Sequence, residues 1–395
     1  MKILIISFTF PPNKDGVSEA ASAMAKGFCD RGWEVSVLTR RTNPPRNQTN
    51  WNGANITEFE YGGTTITPEI VLQKRTENYA EFLTGGAWDA IILHAYEATL
   101  HRAIPVLDQI KARKILVSHG YAALIWEGNP RFPYGIGSWL RRVSRSFRMF
   151  SWLHRFDRVV YLSETADFHG FYDHLIAKTI GYKGRRVIPN GIDLNERGNK
   201  DSDFRARHGI PSDSFVFLCV ANYSPRKDQG YGASAFRKAA IPGSVLIFIG
   251  SDFNEHSKKF QDADASNVVN SPPGKIIWLE KQDRRATLDA LATCNAFLLS
   301  AYHEAQPISL LEAMREGKPW VARNAGCIAS MEGGLCVYSE QQMAEAMQGL
   351  TSDPGLCERL GSEGSHAVSV RYNRDAYVDS YCKLLEELVA PVPES

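Results

Sequence analysis

The chain of 395 residues is too long for one compact domain and long enough for two, each with its own core. Hydrophobic residues at 44% and charged residues at 23% exclude extended disorder. With 45 Lys and Arg against 44 Asp and Glu, no global charge marks a nucleic-acid binder, yet residues 1–185 carry net +6 and the remainder net −5. The two halves are therefore expected to meet different partners.

Short β-branched runs alternate with amphipathic stretches along the whole chain. The first series predicts strands over 3–7, 35–39, 90–93, 115–118 and 159–162. A second series predicts strands over 215–220, 245–249, 275–279, 296–299 and 319–322. Nearly all lack period-two alternation, as strands covered on both faces do. Helical spacing fills the gaps, for example over 20–31 and 306–316. Two blocks of strand–helix repeats predict an α/β protein of two doubly wound, Rossmann-like domains. The turn signal Pro189-Asn190-Gly191 closes the first block, giving a domain over 1–188 and a second over 189–372. A final amphipathic helix within 373–395 follows the completed second block and is free to return to the first.

The seven cysteines, at 29, 219, 294, 327, 336, 357 and 382, include no pair two apart and form neither a disulfide framework nor a zinc cluster. Scattered thiols predict a cytoplasmic setting. The apolar start from Met1 to Phe10 runs straight into Pro11-Pro12 and reads as a buried first strand, not a signal peptide. No apolar run approaches the roughly 18 residues of a transmembrane helix.

In open α/β sheets ligands bind beyond the carboxyl ends of the strands, so the chemistry is sought in the loops that follow them. Glu304 follows a predicted strand, and Glu312 lies eight residues on inside a predicted helix, about 80° past two full turns. Two carboxylates so placed can grip separate hydroxyl-rich parts of one ligand. A helix beginning at Gln306 or Pro307 would offer free amides to phosphate oxygens. An amphipathic helix with solvated glutamates has the same spacing, and the motif alone does not separate the two readings.

The surroundings do. The stretch His303-Glu304-Ala305-Gln306-Pro307 through Glu312 resembles the E-x7-E motif of retaining GT-B glycosyltransferases, specifically glycosyltransferase family 4, over about residues 2–388. Pro11-Pro12 with Gly16 and Glu19 resembles the family's N-terminal glycine loop, with Val17 where a second glycine is usual. Ser118-His119-Gly120 resembles its histidine loop, residues 187–193 its interdomain signature, and residues 220–227 its diphosphate loop. The resemblance implies two GT-B domains facing across a cleft, and a nucleotide sugar bound mainly by the second. It implies Lys227 on the diphosphate, Glu304 on the transferred sugar and Glu312 on the ribose. His119 would hydrogen-bond the donor sugar or steady the reacting centre, and Gly16 would let backbone approach the donor. Asn222 stands where the family has an arginine, leaving Arg226 as a substitute. Ala305, Gln306 and Pro307 would line the sugar. Glu280 and Lys281 would lie near the base, where Glu280 replaces a glycine and leaves uracil and guanine open.

Asp262-Ala-Asp264 is read as a solvated loop, so no metal and no cofactor beyond the donor are expected. Residues 131–158 hold seven Arg and one Asp. Arg141, Arg142, Arg145 and Arg148 lie opposite an apolar helical face, and Met149, Trp152 and Phe156 fall among them. Basic faces with interleaved aromatics suit anionic lipid, so peripheral membrane or acceptor contact is one reading and a solvated face the other.

The expected activity is transfer of a hexose-type sugar from a UDP- or GDP-sugar to a saccharide or lipid-linked acceptor, in surface polysaccharide or glycolipid synthesis. A sugar-nucleotide 2-epimerase of similar fold and a catalytically silent nucleotide-sugar-binding partner are the alternatives.

Overall fold

The β-branched runs form parallel strands whose alternate residues enter different cores. In β1 (Lys2–Ser7), Ile3 and Ile5 join one buried cluster and Leu4 and Ile6 another. This is the both-face burial that an alternation-free sequence implies. The structure, a computed structural model, describes residues 1–13, 15–42, 44, 46–59, 76–94, 98–120, 151–166, 171–266 and 274–390. These form two compact units, which divide after Gly191 and again after Asn373.

The first unit adds β2 (Glu34–Arg40), β3 (Asn50–Trp51), β4 (Ala54–Phe59), β5 (Ala90–His94), β6 (Arg113–Val117), β7 (Arg158–Tyr161) and β8 (Arg185–Val187). The sheet order is β3-β4-β2-β1-β5-β6-β7-β8, antiparallel only between β3 and β4. β3, β4 and β8 fall outside the expected strands. They lie at the two ends of the sheet, where half-covered positions admit Asn, Thr, Glu and Arg and weaken the apolar signal. Helix α1 (Gly16–Asp30) is capped by Asp15, whose carboxylate accepts from the amides of Val17 (3.0 Å) and Ser18 (2.9 Å).

The second unit contains β9 (Val216–Val220), α2 (Gln229–Ala239), β10 (Ser244–Gly250), α3 (Glu255–Ser266) and β11 (Gly274–Glu280). These are followed by α4 (Arg284–Thr293), β12 (Ala296–Leu299), α5 (Ile308–Arg315), β13 (Trp320–Arg323) and β14 (Gly334–Val337). Its sheet is wholly parallel in the order β11-β10-β9-β12-β13-β14. The short edge strand β14 was not expected from its four residues.

Helix α6 (Arg374–Val389) belongs to the first unit and lies against α1. Its Tyr377, Val378, Tyr381, Leu384, Leu385 and Leu388 are part of that unit's core. The Tyr377 hydroxyl donates to the Ala20 carbonyl at 3.2 Å, and Arg31 pairs with Asp379. The two helices approach so closely at Gly27 that a Cβ there would stand 2.4 Å from a Val378 methyl.

Two expectations are corrected. Asp262 and Asp264 lie in the helix α3, not in a loop, because Glu255 onward supplies a continuous helical run. Trp152 and Phe156 are buried in the first unit's core and meet edge to face at 6.1 Å, so they are not available to lipid. A wheel drawn for one apolar face misassigns a segment buried on more than one side. Arg141, Arg142, Arg145 and Arg148 lie outside the described residues. Among the described residues no helix is long and apolar enough to cross a membrane.

Candidate functional site

In the second sheet β9 lies between β10 and β12, and the chain winds outward from it in both directions. The gap beyond the carboxyl ends of β9 and β12 is therefore the topological switch point, where such sheets open a crevice. Lys227 ends a 3₁₀ turn, Pro225–Lys227, after β9, and Glu304 follows β12. Their side chains form an ion pair across this point, with Lys227 18% and Glu304 10% exposed. Both charges are thus largely withdrawn from water. The two loops are also stitched together, since the Ser300 hydroxyl donates to the Lys227 carbonyl (2.9 Å) and the Tyr302 amide to the Arg226 carbonyl (3.3 Å).

The Glu304 loop is held from below. Gly326 has φ +56°, and a Cβ there would fall 2.1 Å from the Glu304 carbonyl oxygen and 2.6 Å from that of Ala305. The Ala305 carbonyl accepts from the Cys327 amide at 3.1 Å. Gln306 is buried, and Pro307 is the N-cap, with no side-chain cap bond, of α5, which begins at Ile308. The helix start thus falls one to two residues later than the spacing suggested, because Pro307 keeps an extended ψ of 122°.

Glu312 points into the same layer from α5 and is 5% exposed. Its carboxylate pairs with Arg284, at the start of α4, at 2.6 Å. The same guanidinium makes two bonds to Glu196, Nε to Oε1 at 2.9 Å and Nη2 to Oε2 at 2.5 Å. Burial opposes the Arg284 charge, but the hydrogen bond to Glu196 and the field of Glu312 hold its pKa above the ordinary arginine value.

Asn222 and Arg226 are exposed in the turn after β9, and the Asn222 carbonyl accepts from Gln229 Nε2 at 3.0 Å. Asp228, next to Lys227, has φ +44°, caps α2 and pairs with Arg323 at 3.1 Å. Arg323 ends β13 and stacks over Tyr231 at 4.4 Å. Glu280 ends β11, two strands from β9. Its Oε2 accepts from the Phe253 amide at 2.7 Å, while exposed Lys281 pairs with Asp252 at 3.0 Å.

The first sheet has its own switch point between β1 and β5. Gly16 opens α1 in the loop after β1, and the Asp15 carboxylate already occupies the nearest amides. His119 lies two residues beyond β6, and its Nε2 is 3.0 Å from Nδ1 of His94, the last residue of β5. One ring must donate and the other accept, so the two rings cannot both be protonated in this contact. Burial lowers the His119 pKa to about 4, and burial with His119 beside it depresses that of His94 well below its usual value.

Of the expected residues, the structure brings Lys227 and Glu304 into direct contact. Glu312, Ala305, Gln306 and Pro307 are contiguous with Glu304, and Asn222 and Arg226 with Lys227. Gly16 and His119 belong to the other unit. Four residues escape sequence reading: Arg284, Glu196, Arg323 and His94. Only His94 carried a usable signal, because it ends an apolar strand just as His119 follows one. Among the described residues no three or more His, Cys, Asp or Glu gather as a metal-binding group.

Residues 15–191 match the family described as Glycosyl transferase 4-like domain, and residues 200–367 match Glycosyl transferases group 1. A lipopolysaccharide core biosynthesis glycosyltransferase, LpsD of Rhizobium meliloti (strain 1021), is 24% identical over 198 residues. That match spans 47% of this chain and 53%, about half, of the relative's length. Sucrose-phosphate synthase from Thermosynechococcus elongatus superposes with TM-score 0.80 at 18% identity, over 98% of each chain. Anabaena HepE in complex with UDP-glucose gives 0.74 at 17% identity, over 98% of this chain and all of that one. At these identities the likeness to the solved structures is one of fold: GT-B.

Proposed function

We propose that this chain, a glycosyltransferase by the families its two halves match, moves a hexose-type sugar from a UDP- or GDP-sugar to a saccharide or lipid-linked acceptor with retention of configuration. The observation that carries the reading is the buried Lys227–Glu304 pair at the switch point of the second sheet, with Glu312 on the helix that follows. A cation at a strand end is what a departing diphosphate requires, and a neighbouring carboxylate is what sugar hydroxyls require. Each satisfies the other. When the donor binds, its diphosphate takes over Lys227 and its sugar hydroxyls take over Glu304. The exchange keeps both buried charges paired, so neither is left bare at a cost of about 3–5 kcal/mol.

In this reading Glu312 accepts from the ribose and His119 steadies the sugar. With its pKa lowered to about 4 by burial, His119 is a weak base and suits hydrogen bonding better than proton abstraction. The acceptor attacks from the face on which the diphosphate leaves, and the leaving phosphate oxygen takes the acceptor proton. Catalysis is positioning plus stabilisation of charge on the diphosphate. Lys227 supplies that charge, and the reaction as proposed uses no metal. The likeness to a lipopolysaccharide core enzyme and to a UDP-glucose complex supports surface glycan assembly from a UDP-sugar.

The test is incubation with UDP- and GDP-hexoses, with and without acceptor saccharides, followed by NMR of the product's anomeric centre. An acceptor-bound sugar with the donor's configuration supports the reading. Inversion would remove the proposed geometry, and release of an altered free sugar would move the chain to the epimerases.

A further inference from the structure

The arrangement around Glu312 contains a group that the proposed chemistry does not use. Arg284 stands between two carboxylates, Glu312 at 2.6 Å and Glu196 at 2.9 and 2.5 Å. Glu312 is 5% exposed, so its carboxylate is withdrawn from water and needs a charged partner inside the unit. The closest contact runs from Arg284 Nη2 to Glu312 Oε1. Arg284 opens α4, and the N-cap Asp283 accepts from the Ala286 amide at 2.7 Å, which fixes the direction in which that helix begins. Glu196 grips the other edge of the planar guanidinium through two bonds, a geometry that lysine cannot reproduce. The helix that bears Glu312 is tied to the same segment again, since Arg315 Nη1 donates to the Asp193 carbonyl (2.9 Å) and Arg197 Nη1 to the Arg315 carbonyl (2.8 Å).

We propose that Arg284 is the positioning residue of the nucleotide end of the site: clamped by Glu196, it holds the Glu312 carboxylate in place and orients it toward the hydroxyl pair of a nucleoside diphosphate. This rests on the assignment of Glu312 to the ribose. Arg284 itself touches no ligand. Its contribution passes through Glu312, so the two substitutions must not add.

Calorimetry with UDP and with GDP on the full chain separates the possibilities. Glu312→Gln and Arg284→Gln should each weaken whichever nucleotide the wild type binds by about 10- to 100-fold, the loss of one charged hydrogen bond. The double variant should be no weaker than the worse single, and Arg284→Lys should recover part of the affinity. Glu196→Gln should fall between wild type and Arg284→Gln. Wild-type affinity in Arg284→Gln, or a double loss equal to the product of the single losses, would overturn the positioning role while leaving the ribose assignment standing. A Glu312→Gln variant that binds as wild type does would sink the ribose assignment and the proposal together. Thermal unfolding of each variant, run alongside, must show a folded second unit. If Arg284→Gln fails to fold, Arg284→Lys and Glu196→Gln carry the same comparison, and unchanged affinity in both overturns it.

Discussion

Lys227 and Glu304, from the loops after β9 and β12, neutralise each other across the point where the second sheet reverses its winding. The two groups assigned to opposite ends of the reacting bond are therefore preassembled. Lys227→Ala and Glu304→Ala should each lower transfer by about 30- to 1000-fold, from the loss of a charged contact of about 2–4 kcal/mol. Each variant also strands its partner's buried charge, so melting temperature should fall, while circular dichroism stays native. Turnover near wild type in either variant would remove the pair from the site.

Gly326 packs directly beneath the Glu304 loop, leaving no room there for a Cβ. In Gly326→Ala the new methyl meets two backbone oxygens, and alanine must adopt a positive φ, at about 1–3 kcal/mol. The loop must rise. Transfer should drop about tenfold or more, with melting lowered by only a few degrees. Steady-state kinetics beside differential scanning calorimetry checks this, and an unchanged kcat would mean the loop is not catalytic.

The first unit should weaken in mild acid. Folded His119 and His174 titrate at about 4 and His94 also below its usual value, all chiefly through burial, whereas the unfolded chain binds these protons near 6.5. The unfolded state thus holds more protons between those limits. Stability is full above about pH 6.5 and falls as pH descends toward 4, by up to about 1.4 kcal/mol per unit for each fully buried ring. Urea unfolding from pH 8 to pH 4.5 should show the midpoint declining below 6.5. The decline should be shallower in His174→Asn, whose ring stacks on Tyr161 at 4.1 Å.

Charge is the remaining ground for membrane contact, since Trp152 and Phe156 lie in the core. If the arginines of residues 131–158 meet lipid, the protein should co-sediment with anionic vesicles and not with neutral ones. Each such residue is worth about 1 kcal/mol, and salt should erase most of it over a Debye length of roughly 8–10 Å. Replacing Arg141, Arg142, Arg145 and Arg148 by Gln should abolish sedimentation and leave nucleotide affinity unchanged. Equal sedimentation of both proteins would favour a soluble acceptor.

The doubly wound architecture was legible because interior parallel strands are apolar on both faces and need no partner to be recognised. β3, β8 and β14 were not, since edge strands share their composition with loops. Glu304 and Glu312 became candidates because strand end and helical spacing are local properties, and the resemblance of the surrounding segments singled them out. Arg284 and Glu196 could not: they are 88 positions apart, and only the folded unit makes them neighbours. Trp152 misled for the opposite reason, as a local wheel does not know how many elements surround it.

Ile192 and Asn373, the two ends of the continuous 192–373 segment of the second unit, sit side by side in a β-bridge, and the Ile192 amide donates to the Tyr372 carbonyl at 2.9 Å. That segment therefore begins and ends at one place. Residues 192–373 behave topologically as an insertion into a host whose fold is completed by α6. Expressed alone, that segment keeps its whole sheet and has ends close enough to join by a short linker. A chain cut at 373, by contrast, keeps the inserted unit whole and strips the host of a core helix, so damage at the carboxyl terminus is felt in the amino-terminal unit.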